Sequence, residues 1–317
     1  MLNLMNPFAY MGGGCSDAID RLSKLDEFGT NPGFLRAWTY IPKGLPVGAP
    51  LVIVLHGCKQ TAQDYDRGSG WSDLADRHGF ALLFPEQRHS NNWSLAFNWF
   101  EPRDSRRDSG EPLSIRQMVE QVVADHGIDL HRIFITGLSA GGAMTSVMLA
   151  TYPEVFAGGA IIAGLPYGCA STIPAAFRRM RGQGGPTGRQ LAVRLRDASE
   201  HDGPWPTISI WHGSGDDTVD PSNVEAIIRQ WRTLLKLGRM PSRTHLVDGY
   251  PRRVWSDSKG QDLMEEYSII GMGHGTPLDT GGRDGCGRSG DYMLDVHISS
   301  TGHIASFWGL SSSEREI

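Results

Sequence analysis

The sequence predicts an α/β fold: a mostly parallel central sheet flanked by helices. Three observations carry that prediction. Short apolar runs recur along the chain. Several are apolar throughout, as strands covered on both faces are. The segments between them carry helix caps and stops. Strands alternating with helices give βαβ units with right-handed crossovers.

The strand candidates are residues 35–42, 50–57, 80–86, 132–137, 156–164, 207–213 and 267–273. PLVIVLHG (50–57) is the most continuous apolar run, and LRAWTYIP (35–42) alternates only in part. The helix candidates are 71–79, 113–127, 143–153, 222–238 and 300–310. The first ends at Gly79, as helix C-termini often do. Ser114 is the expected cap of the second, and Pro153 stops the third. Ser222 with Glu225 and Gly238 would frame the fourth. An arginine-rich region, 166–206, breaks the rhythm and reads as a helical insertion.

A length of 317 residues suits one large domain, here 1–317, with 1–33 as an N-terminal extension. A net charge of −5 argues against a nucleic-acid surface. No apolar run reaches membrane-spanning length. The first residues lack the basic and apolar blocks of a secretory leader. The expectation is a cytoplasmic protein, or an exported one whose leader is missing from this chain. Cys15, Cys58, Cys169 and Cys286 match no zinc spacing, and read either as thiols or as up to two disulfides.

RIFITGLSAGGAM (132–144) holds the central motif. G-L-S-A-G places Ser139 between a strand and a helix, as a nucleophile elbow requires. The turn is tight, so its neighbours must be small, and Gly137, Ala140, Gly141 and Gly142 are. The bland alternative is an ordinary turn. A serine nucleophile needs a base, and the base needs an orienting carboxylate. In the expected chain order the acid follows the serine and the histidine comes last. WHGSGDDTVD (211–220) offers Asp216, with Asp217 and Asp220 as rivals. For the base, His274 lies between glycines past an apolar strand, whereas His245, His297 and His303 read as strand, packing or surface residues. Backbone N–H groups of Ala140 and of Cys58, in the loop VLHGCKQ, are the oxyanion-hole candidates. His56 reads as a loop-fixing residue, and the Cys58 thiol as a passenger or a partner of Cys169.

Taken together, the motifs LHGCKQ, FNWF, LSIRQMV, GLSAGGAM, AGLPYGCA, WHGSGDDTV and GMGHGTPL resemble those of esterases of the poly(3-hydroxybutyrate) depolymerase family, over roughly 28–310. The resemblance implies an α/β-hydrolase fold and ester hydrolysis by a Ser139, Asp216 and His274 triad, with Cys58 and Ala140 as oxyanion donors. It moves Asp216 ahead of Asp217. The family also spans feruloyl and acetyl esterases, so it leaves the substrate between polyester or oligomers and plant-wall esters. Relatives often carry a cysteine just before FNWF, where this chain has Ala96.

Trp99, Tyr167 and Trp211 are candidates for an acyl pocket, with core packing as the alternative for each. Segment 279–291 reads as a mobile loop, not a calcium site. The arginines of 166–206 read as solvated helix faces, with an anionic substrate as the other option. The expected reaction needs no cofactor and no metal. The expected partner is a small or oligomeric ester, with no nucleic acid. Two rivals stand: an acyltransferase using another alcohol, and a non-catalytic binding protein.

Overall fold

The structure, a computed structural model, describes residues 21–281 and 285–311. Along the chain run β1 (Ser23–Leu25), β2 (Arg36–Tyr40), β3 (Leu51–Leu55), α1 (Ala62–Ser69), α2 (Trp71–His78), β4 (Ala81–Glu86), α3 (Gly110–His126), β5 (Ile133–Leu138), α4 (Ala140–Thr151), β6 (Gly158–Ile162), α5 (Ile173–Met180), α6 (Gly188–Arg196), β7 (Thr207–Gly213), α7 (Ser222–Leu234), β8 (Arg243–Val247), β9 (Tyr250–Ser256), β10 (Asp262–Ile269), β11 (Thr276–Leu278), β12 (Met293–Asp295) and α8 (Ser300–Phe307).

Ten strands form one sheet in the order β1-β2-β4-β3-β5-β6-β7-β10-β9-β8. Its centre, from β4 through β10, is parallel, and antiparallel strands close both edges. β3, β4, β5 and β6 are buried along their whole length. Leu51, Ile53 and Leu55 belong to one apolar cluster, whereas Val52 and Val54 belong to the other. This explains the unbroken apolar runs: alternate side chains fill two cores, one on each sheet face.

Each predicted strand and helix has a counterpart, with shifted ends. The helix expected at 113–127 begins at Gly110, with Ser109 as its N-cap residue, so Ser114 lies inside it. There the Ser114 hydroxyl accepts from Gly33 N–H at 2.8 Å and ties down the chain that enters β2. Ser222 is likewise the first residue of α7, not its cap. The run at 267–273 is the end of a longer strand that starts at Asp262; the chain leaves the sheet at Ile269. β1 lies within the segment read as an extension and pairs with β2. Region 166–206 carries α5 and α6, whose Arg178, Arg189 and Arg196 face solvent. Arg179 is buried and donates to Gly184 O at 3.2 Å.

Among the described residues no helix is long and apolar enough to cross a membrane. Cys58, Cys169 and Cys286 are thiols, so the Cys58–Cys169 bridge is not formed; Cys15 lies outside the described residues. Burial raises the thiols of Cys58 and Cys169, the latter to about 12, and both stay protonated.

Candidate active site

The parallel strands end on one edge of the sheet, where loops collect reactive side chains. β5 delivers Ser139 there. The chain turns from β5 into α4 at this residue, with φ 56° and ψ −114°. A non-glycine residue in such a conformation costs roughly 1–3 kcal/mol, so the surroundings must enforce it. Ser139 N–H donates to Ile162 O at 2.9 Å, which ties the turn to β6. α4 packs so closely on β3 that a Cβ at Gly141 would lie 2.3 Å from Leu55 O. One at Gly137 would lie 2.5 Å from the Gly141 backbone. The small residues around the serine are thus sterically required. Ala140 is the first residue of α4, where an amide N–H has no partner within the helix.

β3 ends in the loop His56-Gly57-Cys58. Gly57 N–H donates to Gln60 Oε1 at 2.8 Å. Gln87 N–H donates to His56 Nε2 at 3.1 Å, so the ring carries its proton on Nδ1, which lies 2.7 Å from Gly57 O. Burial lowers the His56 pKa and keeps the ring neutral. His56 is therefore a brace that holds the loop from both sides.

β7 and β10 lead into the loops that carry Asp216 and His274. His274 Nδ1 lies 2.7 Å from Asp216 Oδ2. Asp216 Oδ1 accepts from Thr218 N–H at 2.9 Å and Val219 N–H at 2.8 Å. His212 Nε2 lies 2.8 Å from Val219 O and 3.2 Å from Asp216 Oδ2. Because a carbonyl can only accept, Nε2 carries the His212 proton and the carboxylate shares it. Burial alone would raise the Asp216 carboxyl. Hydrogen bonds from His212 and His274, the His274 charge and Val219 N–H outweigh it and hold the group well below the usual carboxylate range. Asp217 and Asp220 make no bond to His274; Asp220 instead accepts from Ser222 N–H at 2.9 Å.

The chain that follows His274 is fastened to α1. Tyr65 Oη and Thr276 Oγ1 lie 3.2 Å apart, and Arg288 N–H donates to Gly68 O at 3.0 Å. Thr301 Oγ1 donates to Ser69 O at 2.8 Å. The contact is glycine-tight: a Cβ at Gly287 would fall 2.1 Å from Gly68 O. Tyr292 packs edge-on to His274 at 6.0 Å between ring centroids and remains 39% exposed.

The pocket candidates separate. Trp211 is fully buried, stacks on Tyr267 at 3.8 Å and donates to Ser209 Oγ at 2.9 Å. It belongs to the core on the opposite face from Trp99, because adjacent strand residues face opposite ways. Trp99 is nearly buried against Phe100, and Tyr167 donates from Oη to Ser105 O at 3.2 Å. Sequence reasoning overlooked His212 as a partner of Asp216 and Tyr292 as a neighbour of His274. A histidine four residues before the acid was a visible signal for the first; nothing local marks the second.

Asp279, Asp295 and His297 bring ligand atoms within 4.8 Å of one another at the surface. Such an exposed acidic group is common without an ion. Part of the predicted loop 279–291, residues 282–284, lies outside the described residues.

A model of the family described as Esterase PHB depolymerase matches residues 36–239. Poly(3-hydroxyalkanoate) depolymerase C of Paucimonas lemoignei is 46% identical over 297 residues, covering 93% of this chain and 72% of that protein. Acetylxylan esterase of Coprinopsis cinerea is 32% identical over 265 residues, covering 81% and 70%. Feruloyl esterase B of Talaromyces funiculosus is 30% identical over 267 residues, covering 81% and 74%. Among solved structures, an acetyl xylan esterase from Aspergillus awamori superposes with a TM-score of 0.77 over 92% of this chain and 99% of that one, at 24% identity. That last likeness speaks for the α/β-hydrolase fold alone. The chain belongs to the esterase family of the PHB depolymerases and is a serine carboxylic ester hydrolase.

Proposed function

We propose that Ser139, His274 and Asp216 form the catalytic triad, and that the N–H groups of Cys58 and Ala140 form the oxyanion hole of a single catalytic domain. The observation that carries this reading is the 2.7 Å His274–Asp216 bond, made at the sheet edge that also holds the strained serine turn. Ser139 Oγ attacks the ester carbonyl while His274 takes its proton. Asp216 keeps the imidazole in the tautomer with Nδ1 protonated, which leaves Nε2 free to accept. The two amides bind the oxyanion. His274 then protonates the departing alcohol, and water releases the acid from the acyl-enzyme.

The substrate favoured is 3-hydroxybutyrate polyester or its oligomers, on the 46% identity to a poly(3-hydroxyalkanoate) depolymerase. The second reading, a feruloyl or acetyl esterase, rests on relatives at 30% and 32% identity. A side-by-side assay decides: 3-hydroxybutyrate oligomers, methyl ferulate and p-nitrophenyl butyrate, with Ser139→Ala protein as the blank and released acids read by chromatography. Hydroxybutyrate release well above the others is expected. Preferred ferulate release overturns the substrate, and activity surviving in the Ser139→Ala protein overturns the triad.

A further inference from the structure

A cavity of about 290 Å³ opens past the carboxyl end of β4, with Arg36, Thr61, Glu86, Gln87, Arg88 and His89 among its walls. Sheet register fixes where it lies. Leu83 and Ile135 both pair with Ile53, so β4 and β5 run level there, and Gln87 and Ser139 each follow directly after the carboxyl end of their strand. Only β3 separates their strands. Strands lie about 4.8 Å apart, which places the near wall of the cavity, at Gln87, roughly 10 Å from the serine turn.

The cavity is built on a fixed floor. Gln87 is fully buried, and its Nε2 donates to Glu111 Oε1 at 2.6 Å and to Ala96 O at 3.0 Å. Its Oε1 accepts from Arg88 N–H at 2.9 Å and from Asn91 Nδ2 at 2.8 Å. The same residue bonds His56 through its backbone, so the wall of the cavity and the oxyanion loop are one rigid piece.

The cationic groups differ in how they are used. Arg36 pairs with Glu86 at 3.3 Å, and Glu86 also accepts from Ala62 N–H at 2.9 Å, so that acid is neutralised. Arg88 has no such acid. Its side-chain bond runs to a neutral group, Leu35 O, at 3.0 Å, and its Nε is buried with no hydrogen-bond partner. The Arg88 guanidinium thus stands at the cavity wall with its charge unspent on an acid, where a carboxylate can approach its amino groups.

We propose that this cavity is a carboxylate subsite that binds the free acid end of an oligomeric hydroxyacid ester through Arg88, an inference that rests on the oligoester reading above. The chemistry of the substrate supplies the ligand. A chain of hydroxyacid esters carries one carboxylate, on the side of the scissile bond that departs as the alcohol. One ester unit has four backbone bonds against three in a peptide residue, so it extends roughly 4–5 Å by the same bond lengths. A separation of roughly 10 Å therefore spans the distance from a scissile carbonyl to a nearby chain end, not to the ester itself.

The test compares a linear 3-hydroxybutyrate trimer with its methyl ester, which differs only in the charged end. At low salt the wild-type enzyme is expected to favour the free acid about tenfold in kcat/KM, chiefly through KM, as a charge-assisted bond at a partly exposed site allows. In Arg88→Gln that preference falls to about one. Arg88→Lys keeps part of it, and added sodium chloride erodes it in the wild type. Equal rates on the two trimers, or a loss in Arg88→Gln shared equally by both, overturns the subsite. If p-nitrophenyl butyrate is hydrolysed but neither trimer is, the oligoester reading has failed. The trimer acid then serves as an inhibitor of that hydrolysis. Inhibition weakened about tenfold in Arg88→Gln sustains the carboxylate site, and unaltered inhibition removes it.

Discussion

His274 and Asp216 are joined by a 2.7 Å bond from Nδ1 to Oδ2 between two loops 58 residues apart in sequence. The bond favours the imidazole tautomer with Nδ1 protonated and Nε2 able to accept. Asp216→Asn, which can present an amide N–H to Nδ1, should leave the proton on Nε2. A fall in kcat of about 10⁴ is expected at neutral pH, with little change in KM. Steady-state kinetics on p-nitrophenyl butyrate check this, and a loss below tenfold would exclude Asp216 as the orienting acid.

Ser139→Ala should lower kcat by about a millionfold and abolish labelling by a fluorophosphonate probe. The fold should tolerate it, because alanine is also small enough for the turn. Its circular dichroism spectrum should match wild type.

His212 shares its proton between Val219 O and the same Asp216 oxygen that His274 uses. His212→Leu removes that donor and should reduce kcat roughly 10- to 100-fold, the worth of one hydrogen bond to a charged group. A carboxylate with fewer donors holds the His274 proton more tightly. The acid limb of the kcat/KM profile should therefore move to higher pH. An unmoved limb with a general loss of stability would mark His212 as packing only.

Gly141→Ala would drive a Cβ to 2.3 Å from Leu55 O and 2.6 Å from His56 O. Both are backbone atoms of the most buried strand and of the oxyanion loop, so neither yields cheaply. A loss of roughly 1–3 kcal/mol is expected in urea titration, as for other overpacked sites. Activity should fall further than stability, since the displaced atoms flank the Cys58 amide.

Glu111 is fully buried, and its carboxyl is raised to about 8 by burial and by the charge of Asp104, against hydrogen bonds from Asn98 and Gln87. The folded state thus holds a proton that the unfolded chain releases. Its contribution to stability is complete below the ordinary value of 4.5 and is lost as pH rises to about 8. Buried Asp66, raised to about 6 by burial, acts in the same direction at the lower end of that range. The melting temperature should show this downward slope toward pH 8, and permanently neutral Glu111→Gln should lose its upper part.

The central strands could be read from the sequence because burial on both faces leaves a continuous apolar run, as in Leu51–Leu55. The tight turn at Ser139 could be read for a different reason: Gly137 and Gly141 beside it are steric necessities, and glycine is visible in a sequence. The short edge strand β1 and the paired β11 and β12 could not, because three residues carry no period. Helix starts were misplaced at Ser114 and Ser222, where a serine looked like a cap but served another contact or an interior turn. Trp211 misled as a pocket residue because its face of β7 depends on strand register. Arg88 gave no signal, since an unpaired guanidinium is defined by what is missing around it in space.

The glycine-tight seam between α1 and the segment after β11 has a thermal consequence. α1 begins only a few residues after Cys58, and its far end carries Gly68, against which Gly287 and Arg288 are packed. The Cys58 loop and the His274 loop should therefore open together as one cooperative unit. Heating should yield no partly competent enzyme that keeps its base but has lost its anion-binding amides. Loss of turnover, loss of probe labelling and loss of amide protection at Gly57–Gln60 and Gly273–Thr276 should follow a single curve.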